Sequence, residues 1–146
     1  MTARAAAEGF EFIIAAMSDI LIPVSPGELL DKITILRIKA ARMTDAVKLD
    51  NVRVELALLE RVWHECGCAA RSGADDAAAL QSVNEQLWDI EDRIRAKEYS
   101  RSFDAEFIEL ARAVYQRNDE RAAIKKRINL QLGSRIIEEK SYKQYR

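Results

Sequence analysis

The chain of 146 residues is poor in the residues that punctuate or staple a fold: it has two prolines, five glycines, two cysteines and one histidine. So few breakers leave long stretches free to stay helical. Two cysteines exclude a disulfide-stapled secreted scaffold. Cys66 and Cys68 are too close in sequence for an easy intrachain bridge, so free thiols are expected. The single histidine lies in "HECGC", where His64, Cys66 and Cys68 lack the fourth ligand of a structural zinc site. No metal and no covalent cofactor are therefore expected. A Gly-rich phosphate loop, a nucleotide fingerprint and a Ser/His/Asp set are all missing. The apolar run "FEFIIAAM" is short, carries Glu11 and is followed by Asp19, so it makes neither a membrane span nor a convincing signal peptide. With a net charge of −1, nothing global steers the chain to nucleic acid or to a membrane. A cytoplasmic protein is the expectation.

What is present is apolar and charged in helical proportion. Hydrophobic residues make up 49% of the chain and charged residues 32%, which suits one helix-rich domain with a real core. Residues 1–16 are weakly specified. "DILIPV" reads as a short extended segment ending at proline. In "SPGE", Ser25 is an N-cap, Pro26 fits the first helical position and Glu28 completes a capping box, so a first helix is expected from Pro26 to about Met43. A second, capped by Thr44 or Asp45, runs to about Glu65, with Gly67 as its stop. A third spans about Asp75 to Lys97. A fourth runs from about Asp104 to Leu132 and ends at Gly133. Residues 17–133 thus form the helical domain, and 134–146 a polar tail. The fold class expected is all-α, a four-helix up-and-down bundle or a set of helical hairpins.

The second helix carries one apolar stripe, Leu49, Val52, Leu56, Leu59 and Trp63, and the third another, Leu80, Val83, Leu87, Ile90 and Ile94. The first helix is apolar on two sides: Leu29, Ile33, Leu36 and Ala40 on one, Ile35 and Ile38 nearly opposite. Such a helix is either central or faces a second subunit, and a homodimer is the favoured expectation. The fourth helix holds Phe107, Leu110, Ala111, Val114, Ile128 and Leu132 in line, but between Val114 and Ile128 the line is occupied by Asn118, Arg121 and Lys125, with Arg117 at its edge.

An unpartnered buried charge costs several kcal/mol. Either these cations reach water, or carboxylates meet them. Glu91 on the third helix, with Asn84 beside it and Trp88 further round, is one candidate partner; Asp31 on the first helix is another. The bland readings are an internal salt-bridge network or cations snorkelling to solvent. The sharper reading is a pocket in which Arg117, Arg121 and Lys125 hold an anionic small molecule, Glu91 and Asp31 orient them, and Trp88 offers a flat surface. Glu28 and Lys32 read as an ordinary i,i+4 pair. Tyr142 and Tyr145 lie among lysines, too small a patch to argue for RNA.

The stretches "ILIPVSPGELLDKITILRIKAARM", "NVRVELALLE", "LWDIEDRIR" and "FIELARAVYQRNDERAAIKKRINLQLGS…EEKSY" resemble a bacterial family of short proteins known only as a domain of unknown function. The likeness runs from about Ile20 to Tyr142. It implies a natural start near Met17, with residues 1–16 an upstream extension, and it carries no activity. A fainter likeness, on Leu87, Trp88, Glu91, Asp92, Arg117, Asn118 and Asp119, is to another uncharacterised all-helical family associated with glycosyltransferase and surface-polysaccharide genes. "ELLDKITILRIKAAR" also has a faint look of the first helix of chorismate mutases. Three functions therefore stand open: a non-catalytic binding or accessory protein for an anionic metabolite, a cofactor-free mutase-like enzyme, and a structural dimeric adaptor.

Overall fold

The computed structural model describes residues 19–145, so the N-terminal stretch 1–16 lies outside the described residues. Among the described residues there are five helices and no strand: α1 (Pro26–Arg42), α2 (Ala46–Glu65), α3 (Cys68–Arg71), α4 (Ala74–Tyr99) and α5 (Ala105–Gln131). The all-α expectation holds, and the four long helices begin and end within about two residues of their expected limits. "DILIPV" precedes α1 without forming a strand. The short α3 was not anticipated.

Local chemistry sets the helix ends. Ser25 Oγ accepts from the Glu28 amide at 3.2 Å, and Pro26 occupies the first turn of α1. Asp45 caps α2 through the Lys48 amide at 2.9 Å, and Asp104 caps α5 through the Phe107 amide at 3.0 Å. At the other end of α5, Gly133 takes the left-handed conformation, which lets the Ser134 amide turn back onto the Asn129 carbonyl at 2.9 Å. Gly67, also left-handed, makes the turn between α2 and α3. The expectation of free thiols fails at this turn: Cys66 and Cys68 are joined in a disulfide, because the Gly67 turn sets their Cα atoms 5.4 Å apart, within the usual span of a bridge.

Packing is uneven. α4 and α5 form the most extensive contact and run antiparallel, with Asp76 meeting Arg127 at one end and Lys97 meeting Asp104 at the other. α1 packs against α2, α4 and α5. α2 packs on α1 and α3, and its contact with α4 and α5 is at most marginal. The helices are thus better described as two hairpins, α1–α2 and α4–α5, joined through α1, than as a closed ring of four. Leu29, Leu30, Ile33, Trp63, Cys68, Leu80, Val83, Ile124, Ile128 and Leu132 form the core. α1 is the central helix: Leu29, Ile33 and Leu36 on one side and Ile38 on the other are buried by this same chain, while Ile35 is half-buried, so the second side is only partly covered.

α1 reaches α5 at close range through Gly27. Its amide donates to Asn129 Oδ1 at 2.7 Å, and a Cβ placed there would lie 2.5 Å from the Lys125 carbonyl oxygen and 2.8 Å from Asn129 Oδ1. The backbone of α5 cannot yield without losing its own ladder. Gly27→Ala is therefore expected to destabilise the fold by about 1–3 kcal/mol, read as a lower urea midpoint at unchanged slope; an unchanged midpoint would show that the two helices are not in this contact.

Candidate functional site

One carboxylate organises the middle of the molecule. Asp31 projects from α1 into the space between α4 and α5 and is only 1% exposed. It accepts from Arg121 Nε at 2.8 Å and, in a second parallel bond, from Arg121 Nη2. Asn84 Nδ2 of α4 donates to Asp31 Oδ1 at 2.9 Å and to Thr34 Oγ1 at 2.9 Å. Thr34 Oγ1 in turn donates to the Asp31 carbonyl at 2.8 Å. A two-pronged guanidinium and an amide give this buried charge the partners it needs. The Asp31 carboxylate, as hydrogen-bond partner and counter-charge, holds the Arg121 guanidinium above its ordinary pKa against the opposing effect of burial.

Arg121 is not exhausted by this pairing. Its Nη1 makes a long bond of 3.4 Å to Asn118 Oδ1, Asn118 itself is anchored to the Val114 carbonyl at 2.9 Å, and the arginine side chain remains 27% exposed. Of five N–H donors, three are used. One turn on, Lys125 is 10% exposed and donates to Glu28 at 2.6 Å and to Glu138 at 2.9 Å. Burial pushes the Lys125 ammonium down, but Glu28 and Glu138 outweigh it and hold it above its usual value. Lys125, and behind it Lys140, hold the Glu138 carboxyl below its usual value.

The structure brings together Asp31, Asn84, Asn118, Arg121 and Lys125, sets Trp88 and Glu91 along a groove that Arg121 also lines, and leaves Arg117 apart. Arg117 pairs with Glu120 on the surface at 2.6 Å. Glu91 meets Arg95 at 3.2 Å, one turn along its own helix, and is not the counter-charge of Arg121. The sequence expectation of a Glu28–Lys32 pair is also corrected: Glu28 turns inward to Lys125, while Lys32 reaches across to Glu55 of α2 at 2.7 Å. Thr34 and Glu138 were missed. Thr34 carries no signal on a helical wheel, whereas Glu138 lies in the "EEKSY" motif that had been singled out without a role.

Arg121 stands between two open spaces. On one side is a groove of about 330 Å³ between α1, α4 and α5, walled by Ile35, Ile38, Leu87 and Trp88, with Asn84, Glu91, Asp92, Arg95 and Arg121 at its edge. On the other is a polar pocket, also about 330 Å³, lined by Glu28, Asn118, Arg121, Ala122, Lys125, Glu138 and Lys140. The polar pocket sets three cations against two carboxylates.

The model of the family of unknown function DUF6165 matches residues 20–145. The chain belongs to this family. Its matched region takes in the capped start of α1, both faces of the groove and the tail that carries Glu138. Comparison with curated proteins and with solved structures finds no match.

Two outcomes test the geometry. Arg121→Leu leaves the Asp31 carboxylate buried without its counter-charge, and should cost about 3–5 kcal/mol in urea unfolding; adding Asp31→Asn should recover much of that loss. Equal stability of the single variant and the parent would remove Asp31 as the partner. The second outcome concerns pH. The lowered pKa of Glu138 means that its bond to Lys125 contributes fully above the ordinary carboxyl value of 4.5 and is lost as pH falls through the lower folded value. The edge-to-face contact of Tyr115 and Tyr145, whose ring centroids are 4.8 Å apart, should disappear from proton NMR in that acid range and at all pH values in Glu138→Gln.

Proposed function

We propose that this protein is a non-catalytic binding or accessory protein for an anionic metabolite that carries a ring. In this reading the ring lies in the groove against Trp88, and the anionic group reaches Arg121 and the cations of the polar pocket beyond it. The protein acts in the cytoplasm as a homodimer, without metal, covalent cofactor or nucleic-acid partner. A sugar nucleotide has both required parts, and a role in bacterial envelope sugar metabolism agrees with the fainter of the family likenesses in the sequence.

The observation that carries the reading is the state of Arg121. Asp31 fixes the guanidinium in place, yet two of its N–H donors remain uncommitted at the meeting of an apolar groove and a cation-rich pocket. A group held rigid before the ligand arrives spares the ligand the cost of ordering it. Arg121 also stays charged at any physiological pH, so an anion always finds a cation there. Apolar walls with a few convergent polar groups are the usual form of a small-molecule site.

The test is a thermal-shift panel of sugar nucleotides, nucleotides and aromatic carboxylates, followed by titration of tryptophan fluorescence. Trp63 is buried in the core and Trp88 lines the groove, so the response should come from Trp88 and vanish in Trp88→Phe. Saturable binding without turnover, lost in Trp88→Ala with the fold intact, is the expected result. No stabilisation by any anion of the panel at millimolar concentration overturns the ligand reading.

A further inference from the structure

Four apolar side chains stand in water along one face of α2. Val47 is 73% exposed, Val54 63%, Leu58 44% and Val62 47%. At 3.6 residues per turn they fall within an arc of about 80°. This is not the face that holds α2 to the molecule. That face carries Val52, Leu56, Leu59 and Trp63, and its two flanks are marked by Glu55, paired with Lys32, and Glu60, paired with Arg37 of α1. α2 is therefore apolar on two sides, with α1 covering one.

We propose that the open face of α2 binds the same face of a second copy of this chain, with the two helices antiparallel. The proposal rests on the homodimer part of the functional reading and is independent of the ligand part. A two-fold contact must be self-complementary, and the charges beside the stripe meet that condition in one direction only. Asp50 and Arg61 lie on the same flank on either side of Leu56, the midpoint between Val54 and Leu58, six residues before it and five after it. With two α2 helices antiparallel about that point, Val54 of each copy lies over Leu58 of the other, and Arg61 of each reaches Asp50 and Asn51 of the other. In a parallel arrangement the two-fold axis runs along the helices and turns this flank of one copy toward the opposite flank of the other, so Arg61 and Asp50 do not meet. Among the described residues Arg61 has no ion pair, and Asp50 has only a local contact of 3.6 Å to Arg53, so both are available. The mixture of acids and bases along the stripe also argues against a membrane surface, which selects lysine and arginine on the polar flanks.

One helical face of this length buries roughly half of the ~800 Å² per partner typical of a stable complex. A reversible dimer with micromolar affinity is the expected result, from one chain of 16.6 kDa at low concentration to twice that mass at high concentration. Sedimentation equilibrium of the full chain without ligand measures it. Val54→Glu with Leu58→Glu should leave a monomer at every concentration, with helix content and unfolding midpoint checked by circular dichroism. Asp50→Arg alone and Arg61→Asp alone should each weaken association at least tenfold, and the two together should restore it. A parent that stays monomeric up to millimolar concentration overturns the proposal, as does a dimer indifferent to Val54→Glu and Leu58→Glu. A dimer that needs the stripe but is not restored by the charge exchange overturns the antiparallel arrangement. Trp88→Phe, which removes the proposed ligand signal, should leave the mass profile unchanged, so the failure of either reading is distinguishable from failure of the other.

Discussion

A carboxylate removed from water costs several kcal/mol unless it is fully partnered, and Asp31 is removed almost completely. Its partners come from two other helices: the Arg121 fork from α5 and the Asn84 amide from α4. Apolar packing alone tolerates sliding, because dispersion and burial are not directional. A bidentate guanidinium pair is directional, and a shift of α5 by one turn would leave Asp31 buried and unpaired. The relative heights of α1, α4 and α5 are fixed by this group, and Gly27 against Asn129 fixes the same α1–α5 alignment from the end. The three helices that bound the groove are the three that Asp31 joins.

That constraint explains why a polar cluster sits where a plain bundle would place leucine. Replacing the pair by well-packed apolar side chains could give as much stability, but would remove the directional bond that sets the heights of the three helices. With the pair present, the cation is anchored on one edge and open on the other. Lys125 behaves differently. It holds one carboxylate from α1 and one from the tail, and the tail carboxylate has only Lys140, two residues on, as a further partner. An anion entering the polar pocket competes with Glu138 for Lys125, not with Asp31 for Arg121, because the Asp31 bond is the buried and bidentate one.

The helices, their caps and the polar break in the α5 stripe were legible in the sequence because each is a local or periodic property. Ser25, Asp45 and Asp104 act within three residues of themselves, and Arg121 and Lys125 fall on the apolar line by helical pitch alone. The choice between Asp31 and Glu91 as partner was not legible. Both project toward a neighbouring apolar row, and a wheel gives direction without depth. Depth decided the matter: Leu87 is buried but Ile90 and Ile94 are only half-buried, so the cover over α4 thins before Glu91 and leaves it to a surface pair with Arg95. Glu138 was illegible for a different reason. It follows a helix stop and acts on Lys125 only because the chain turns back at Gly133 along α5.

The same limit governs helices with two apolar faces. In sequence, α1 shows its doubleness plainly and α2 hides it, since Val47, Val54, Leu58 and Val62 drift across the wheel between charged neighbours. Periodicity says that a face is apolar; it does not say whether the covering atoms come from the same chain. For α1 they do, from α2 on one side and from α4 and α5 on the other. For α2 they come from α1 and α3, leaving a 20-residue helix held by one side and wet on the other. Most helical stability in a folded protein comes from packing of an apolar face rather than from propensity, so α2 depends on its single packed face unless its second is also covered. The free energy released by covering that second face acts on the element with the least support, which places the benefit of self-association where the monomer is weakest.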